Sequence, residues 1–188
     1  MTDLQTLIDE RDIRTLLEGY ARWADRNDED AKVAMYHEEG WDDHGIFLGL
    51  GSEWSKGGRA KQMASVWRLF GNVQIELDGD VAYAEHYVLM VGQKPAVVDD
   101  PHYIQVLGGR FLDTLDRVDG VWKISYRRQV IDWQTVWDSD KPHYPPLEQF
   151  HRGSLGQSDR VYHKAANRQE WLDGRDTYGF VKGGLASG

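Results

Sequence analysis

Apolar side chains recur at three- and four-residue steps at the start of the chain. From Leu4 to Ala24 this spacing places them on one face of an α-helix, with polar positions between them. Thr2 or Asp3 is suited to cap the first turn. We therefore expect a long amphipathic first helix that buries one face against the rest of the domain.

Two further helices are expected before the pattern changes. Asp28 is suited to cap a short helix that runs through Tyr36 and ends at Gly40. The segment from Ser55 to Phe70 predicts a third helix, weakened near its start by two glycines. The first part of the chain is thus expected to be helical.

After Gly71 the hydrophobic period shortens to two. The segment NVQIELDGDVAYAEHYVLMV alternates on both sides of Asp78-Gly79-Asp80, and the segment from His102 to Trp133 alternates around Asp119-Gly120. Alternation about an Asp-Gly turn predicts a β-hairpin in each case. Helices followed by antiparallel strands predict an α+β fold, in which the helices pack against one face of a curved antiparallel sheet.

The pattern changes again after residue 133. His143-Tyr144-Pro145-Pro146 is incompatible with regular structure, and glycine becomes frequent toward the end. We interpret residues 1–133 as the α+β domain. Residues 134–188 are interpreted as an arm, partly irregular, that packs on its own domain or on a neighbouring subunit.

Composition and charge narrow the possible functions. The 188 residues carry a formal net charge of −9 and no basic run, so a nucleic-acid partner is not expected. The absence of cysteine excludes disulfides, thiolate metal ligands and a cysteine nucleophile. No segment has the character of a membrane span or a signal peptide, so we expect a cytoplasmic protein without membrane contact.

Aromatic residues are abundant, with eight Trp, nine Tyr and five Phe. Such side chains can wall a pocket for a flat or apolar ligand, or fill a core and a subunit interface. Composition leaves both interpretations open. A sheet of the predicted kind also has an outer face that a second copy can cover, so a homodimer or homotrimer is expected.

The stretch MYHEEGWDDHGIFLG concentrates acids and histidines. His37 and His44 are seven residues apart with Gly40 between them, which does not match the spacing by which one helix presents two metal ligands. A solvated helix end followed by a strand accounts for most of these charges. We expect no metal and no other cofactor; metal-dependent catalysis is the alternative that metal analysis of the purified protein would decide.

Four segments together carry a family resemblance: LLEGYARWADRND, MYHEEGWDDHGIFLG, FGNVQIELDGDVAYAEHYV and GGRFLDTLDRVDGVWKISYRR. From about Leu4 to Trp133 the chain resembles the SnoaL-like family of the nuclear-transport-factor-like superfamily. Its members include polyketide cyclases, scytalone dehydratase, bile-acid dehydratases and hexachlorocyclohexane dehydrochlorinase. The resemblance implies a cone-shaped α+β barrel whose helices and bent sheet enclose a deep apolar pocket that takes a small-molecule substrate.

The resemblance also implies site residues. The dehydratases and the dehydrochlorinase place a pocket aspartate just after the first helix, which matches Asp25, and the bile-acid enzymes have a tyrosine five residues earlier, which matches Tyr20. Trp41 resembles a pocket tryptophan of the dehydrochlorinase. The family pairs the aspartate with a histidine four residues before the asparagine that opens the first strand. Counting back from Asn72, this chain has Arg68 at that place.

Acid–base elimination is the chemistry that these residues suggest. A carboxyl group in an apolar pocket is poorly solvated and its pKa rises, so Asp25 could remove a proton, while a phenol, an imidazole or a guanidinium stabilises the developing charge. The candidates for catalysis are Asp25, Tyr20, His86, Arg68 and Arg127. The candidates for substrate binding are Trp41, His44, Trp67, Tyr87 and Arg128. Each candidate also has a structural interpretation, such as a helix cap for Asp25 or a core position for Tyr20 and His86.

Three functions follow as hypotheses. The first is a cofactor-free lyase that removes water, or cleaves a C–C bond with loss of formaldehyde, from a small hydroxylated aromatic compound. The second is an isomerase or cyclase that uses the same base without a leaving group. The third is a non-catalytic ligand-binding or accessory subunit, which the arginine at position 68 favours. We expect the lyase.

Overall fold

A computed structural model describes residues 3–57, 63, 65–94, 103–138, 154, 156–163, 165, 166 and 169. The helices are α1 (Leu4–Arg26), α2 (Glu29–Ala34) and α3 (Gly51–Gly57). The strands are β1 (Tyr36–Asp43), β2 (Leu48–Leu50), β3 (Ser65–Asp78), β4 (Val81–Lys94), β5 (Tyr103–Val118) and β6 (Val121–Asp138). Two 3₁₀ turns, Gly156–Ser158 and Arg160–Tyr162, follow in the arm. The predicted α+β fold is confirmed.

Local hydrogen bonds close both ends of α1. Asp3 accepts a hydrogen bond from the Thr6 backbone N–H at 2.8 Å, and Asn27 ends the helix in the left-handed conformation with φ 54°. The helix buries one face against the sheet, as its periodicity predicts. Tyr20 and Asp25 both belong to that buried face.

The six strands form one curved sheet in the order β2-β1-β6-β5-β4-β3. Every pair is antiparallel except β1 with β6, which is parallel. Both predicted hairpins are present, and φ angles of 51° at Asp119 and 78° at Gly120 fit the turn that an Asp-Gly pair favours. The hairpins supply the four long strands on which the helices pack.

The second expected helix is wrong in its extent. It ends at Ala34, and Tyr36 opens strand β1 instead of continuing the helix. Gly40 lies inside β1, where an added Cβ would come within 2.5 Å of the Ile124 carbonyl oxygen on β6. Glycine at this position is therefore a requirement of close strand approach and not a helix stop.

The third expected helix, Ser55 to Phe70, is also wrong. Helix α3 starts earlier and ends at Gly57, and strand β3 already begins at Ser65. The letters SVWRLF alternate with a period of two, which a β-strand requires. Arg68 consequently lies on a strand, and the residues before and after it face the opposite side of the sheet.

The core lies between α1 and the inner face of the sheet. It includes Leu17 on the helix and Phe111 and Leu115 on β5, all buried. The outer face carries exposed aromatic side chains, among them Trp67 and Trp133. The homodimer or homotrimer stays a prediction.

The described part of the arm contacts α1 of its own domain. Arg26 lies 3.4 Å from the buried Asp159, and the Arg22 guanidinium lies 5.1 Å from the centre of the Tyr162 ring. Strand β6 continues past residue 133 to Asp138. Residues 139–153, which include the Pro-rich segment, lie outside the described residues, so the division at residue 133 stays a prediction.

Candidate active site

A cavity of about 380 Å³ lies between the helices and the inner face of the sheet. Its size is in the range of small-molecule sites. Most of its wall is apolar or aromatic, and its polar side chains include Lys32, His44, Glu53, Arg68, Gln105 and Gln129. The cavity therefore offers an apolar compound a few polar contacts.

Asp25 and Arg68 form a buried ion pair beside this cavity. The Arg68 backbone N–H donates to Asp25 at 2.9 Å, and its guanidinium donates to the other carboxylate oxygen. Burial raises the pKa of Asp25, an effect that the positive charge of Arg68 opposes. Arg68 lines the cavity, whereas Asp25 is not among the lining residues. The pair thus presents a positive guanidinium to a ligand and keeps the carboxylate behind it.

His44 forms a second polar group on the cavity wall. It directly follows β1, and its backbone closes a tight turn to Phe47, with the His44 N–H donating to the Phe47 carbonyl at 2.9 Å. Its ring contacts the Trp54 ring, with the centroids 4.0 Å apart, and its Nδ1 lies against a carboxylate oxygen of Asp42. Asp42 is completely buried, and its other oxygen accepts a hydrogen bond from the Tyr36 hydroxyl.

The charges around His44 favour the neutral ring. Burial lowers its pKa, the Asp42 carboxylate raises it in part, and the positive charges of Arg127 and Arg68 lower it further. Burial also raises the pKa of the Tyr36 phenol. The phenol therefore keeps its proton and donates a hydrogen bond to Asp42. His44 is then a neutral imidazole at neutral pH.

His86, Asp113 and Arg127 form a third polar group that is sealed from solvent. Arg127 makes two hydrogen bonds to Asp113, at 2.7 and 2.8 Å, and His86 Nε2 lies 3.0 Å from the same carboxylate. Burial would raise the pKa of Asp113, but Arg127 and the hydrogen bonds outweigh it and hold the pKa below its ordinary value. The Arg127 guanidinium lies over the rings of Tyr20 and Phe111 at 4.6 and 4.4 Å.

The structure brings together only some of the residues predicted from sequence. Tyr20, His44 and Arg68 line the cavity. Asp25, His86 and Arg127 are buried behind that wall: Asp25 pairs with Arg68, and the other two contact the lining ring of Phe111.

Four predicted binding residues lie away from the cavity. Trp41, Trp67 and Tyr87 are each about half exposed, and Arg128 is exposed and paired with Asp43 at 3.1 Å. None of the four is among the residues that line the cavity, because successive strand residues face opposite sides of the sheet; their role in substrate binding stays a prediction. Their neighbours in sequence are the ones that point inward.

Sequence reasoning missed Asp42 and Tyr36 altogether, and it assigned His44 to binding alone. A usable signal was present. Asp42 and His44 are two residues apart, and residues at this spacing share one face of a strand. This spacing is a signal only for a segment in strand conformation, whereas the sequence alone favours a solvated helix end.

The described residues contain neither a cluster of metal-binding side chains nor a membrane-spanning helix. No group of three or more histidine, aspartate or glutamate side chains there could hold a metal ion. None of the described helices is long and apolar enough to cross a membrane.

The sequence match to a known domain family spans most of the cavity-forming chain. A SnoaL-like domain model matches residues 5–128. The chain belongs to the SnoaL-like domain family. A comparison with curated proteins finds no match.

Several solved structures share the fold of this chain. A hexachlorocyclohexane dehydrochlorinase of type 2 is 19% identical with a TM-score of 0.67, covering 77% of this chain and 99% of its own. The type 3 dehydrochlorinase of Novosphingobium barchaimii is 18% identical with a TM-score of 0.66, covering 77% and 100%. A scytalone dehydratase candidate from Novosphingobium aromaticivorans is 20% identical with a TM-score of 0.61, covering 77% and 97%. At these identities the likeness shows the fold.

Proposed function

We propose that this protein is a lyase that removes a proton and a leaving group from a small hydroxylated aromatic compound held in the cavity. The observation that carries the proposal is the buried Asp25–Arg68 pair, which places a guanidinium on the wall of an otherwise mainly apolar cavity. Structural relatives named as a dehydrochlorinase and a dehydratase candidate are consistent with elimination chemistry.

The role of Arg68 follows from its surroundings. Elimination leaves negative charge on a leaving group or on a carbonyl oxygen, and a fixed positive donor in a water-poor site stabilises that charge. Asp25 accepts two hydrogen bonds from Arg68 and so holds the guanidinium in place. Asp25 is therefore a positioning residue in this proposal, and the ionisable lining residues Lys32, His44 and Glu53 are the candidates for accepting the proton.

The test uses a compound whose elimination is easy to follow. The β-hydroxy ketone formed from benzaldehyde and acetone loses water to give benzylideneacetone, whose conjugation produces a strong ultraviolet band. Hydroxymethylated phenylpropanoids would be assayed in parallel for release of formaldehyde. Product mass identifies the reaction class, because isomerisation leaves the mass unchanged.

The Asp25→Asn/Arg68→Met double variant removes the ion pair without leaving either charge buried alone. We expect its turnover number to fall by roughly a hundredfold to a thousandfold, the range for loss of one charge-stabilising donor. Arg110→Met, which removes a surface arginine paired with Asp132 on the sheet, is the matched control and should keep full activity. Turnover retained in the double variant would overturn the role of Arg68, and ligand binding without any product would favour the non-catalytic alternative.

A further inference from the structure

The family's catalytic histidine is absent from its expected position, yet the cavity wall holds another one. His44 comes from the turn after β1, which lies next to the edge strand β2, whereas Arg68 lies on β3 at the other edge of the sheet. Both side chains line the same cavity because the sheet is curved. The question is whether His44 has the surroundings that a proton acceptor needs.

The hydrogen bonds of His44 define its tautomer. A carboxylate oxygen can only accept, so the contact between Asp42 and Nδ1 places the imidazole proton on Nδ1. The lone pair then lies on Nε2. Among the described residues Nε2 has no hydrogen-bond partner, and it is not one of the buried unpartnered atoms, so it is open to the cavity.

The ring is also held rigidly. Its side chain is 6% exposed and that of Asp42 is fully buried. The Trp54 and Phe111 rings pack against it, and Asp42 is fixed in turn by the Tyr36 hydroxyl. Gly51 packs directly on the Tyr36 ring, where an added Cβ would come within 2.2 Å of a ring carbon. The Tyr36–Asp42–His44 relay is therefore fixed at both ends.

We propose that His44 is the residue that takes the proton in the reaction and that Asp42, held by Tyr36, positions it. This assignment rests on the proposed lyase function and names the base for it. An aspartate that holds one ring nitrogen of histidine fixes the tautomer and stabilises the imidazolium as it forms.

The step balances in atoms and electrons. Nε2 forms a bond to a proton on the carbon beside the carbonyl group of the substrate. The electron pair of that C–H bond becomes the second bond between this carbon and the next one, which carries the hydroxyl group. The neighbouring C–O bond breaks with its electron pair on oxygen. The proton then passes from Nε2 to that oxygen, which leaves as water, and His44 returns to its neutral state.

The substrate class follows from the same geometry. A neutral base and a guanidinium on one apolar cavity suit a compound with an acidified C–H bond beside a carbonyl oxygen and a hydroxyl group on the next carbon. Aromatic lining residues such as Phe47, Trp54 and Phe111 suit an aryl group on that carbon. A β-hydroxy aryl ketone has these features.

The first test needs no substrate. Nitrogen-15 NMR of the imidazole side chains reports both tautomer and titration, and His44→Gln assigns the signal. We expect a protonated Nδ1 and a bare Nε2 at pH 7.5, with titration below about 6.5, the ordinary value for histidine. Asp42→Asn should move the titration to still lower pH, and Tyr36→Phe should move it upward because the carboxylate loses a competing donor. The other charges near the ring are those of Arg127 and Arg68, and Lys32 and Glu53 line the same cavity; Asp42→Asn and Tyr36→Phe keep all four.

The control for the first test is His37→Gln. His37 lies on β1, the strand that His44 follows, and outside the cavity lining, so its loss should leave the His44 signal unchanged. A proton on Nε2, a titration above 6.5, or no response to Asp42→Asn would overturn the relay. These outcomes are independent of whether any substrate is turned over.

The second test is turnover of the β-hydroxy ketone. His44→Gln should lower the turnover number by about a hundredfold to ten-thousandfold, the contribution of a general base. Asp42→Asn should give a smaller loss and should shift the acid limb of the pH profile downward, whereas Tyr36→Phe should shift it upward. Full activity of His44→Gln, with the double variant of Asp25 and Arg68 inactive, would overturn the role of His44 but keep the lyase. Absence of product with every variant and with the unmodified protein would count against the lyase instead.

Discussion

Two histidine–aspartate pairs contact the same phenylalanine. They differ in whether the second ring nitrogen of the histidine is accessible from the cavity. The His44 and His86 rings lie 5.6 and 5.4 Å from the ring of Phe111. His86 is completely buried, and its second ring nitrogen is a sealed atom without a partner among the described residues. The second nitrogen of His44 is open to the cavity. The same pair of residue types is therefore structural at one place and available for chemistry at the other.

The counter-charges of the two aspartates differ as well. Asp113 is neutralised by Arg127 through two hydrogen bonds, whereas Asp42 is supported by the neutral Tyr36 hydroxyl. An aspartate that already holds an arginine contributes less negative charge to its histidine. Among the described residues no arginine donates a hydrogen bond to Asp42, so more of its charge would be available to the imidazolium that the proposed reaction forms on His44.

The largest expected effect comes from breaking the buried ion pair between Arg127 and Asp113. Arg127→Ala leaves the Asp113 carboxylate buried without its counter-charge, so we expect the free energy of unfolding to fall by about 3–5 kcal/mol. Urea denaturation followed by tryptophan fluorescence measures this loss. Replacing Arg127 and Asp113 together by Met and Leu should cost less than the single change; an equal or larger cost would contradict the explanation by an unpaired charge.

The titration of His44, in its pair with Asp42, should affect the pH dependence of the free energy of unfolding. Burial lowers the pKa of His44, so the unfolded chain, with a histidine pKa of about 6.5, binds the proton more readily than the folded state. The contribution of His44 to the free energy of unfolding is therefore fully present above about pH 6.5. It is lost as the pH falls below that value, because protonation then favours the unfolded chain. His44→Gln should reduce the drop in the free energy of unfolding between pH 7.5 and 5.5. His37→Gln is the matched control, and an unchanged drop in His44→Gln would show that the ring is not destabilised by charging.

The smallest effect is expected at the neighbour of Arg127. Arg128 points to the outer side, where its pair with Asp43 is exposed to solvent. Exposed pairs of this kind contribute little, so Arg128→Ala should leave the urea midpoint unchanged within measurement error. A loss comparable to that of Arg127→Ala would mean that the two faces of β6 are not as different as the structure shows.

Sequence predicted the elements whose signals are local. The apolar periodicity of helix α1 lies within the helix itself, its Asp3 cap and Asn27 end directly adjoin it, and both hairpin turns carry an Asp-Gly pair. Strand β1 has no such signal, because its buried positions, Tyr36, Gly40 and Asp42, are buried for reasons that lie elsewhere in the chain. The close approach of β6 and the contact with Gly51 could not be read from the stretch itself.

The candidate site was predictable only in part for the same reason. The family resemblance placed Tyr20 and Asp25 at the end of the first helix, and both are buried there. The pairing of Asp25 with Arg68 depends on strand β3, whereas the sequence predicts a helix for the segment that carries Arg68. The Asp42–His44 spacing becomes informative only once β1 is known to be a strand.

The curvature of the sheet has a consequence for how this site can change. Three strands, β6, β5 and β4, lie between β1, which His44 follows, and β3, which carries Arg68, so the separation of the two side chains depends on how these strands bend. The bulge in β3 near Asn72, where φ is 50°, is one place where that bend is set. Altering such a bulge would widen or narrow the gap between the imidazole and the guanidinium, and would thereby change the length of compound that fits the proposed site, with both side chains left unaltered.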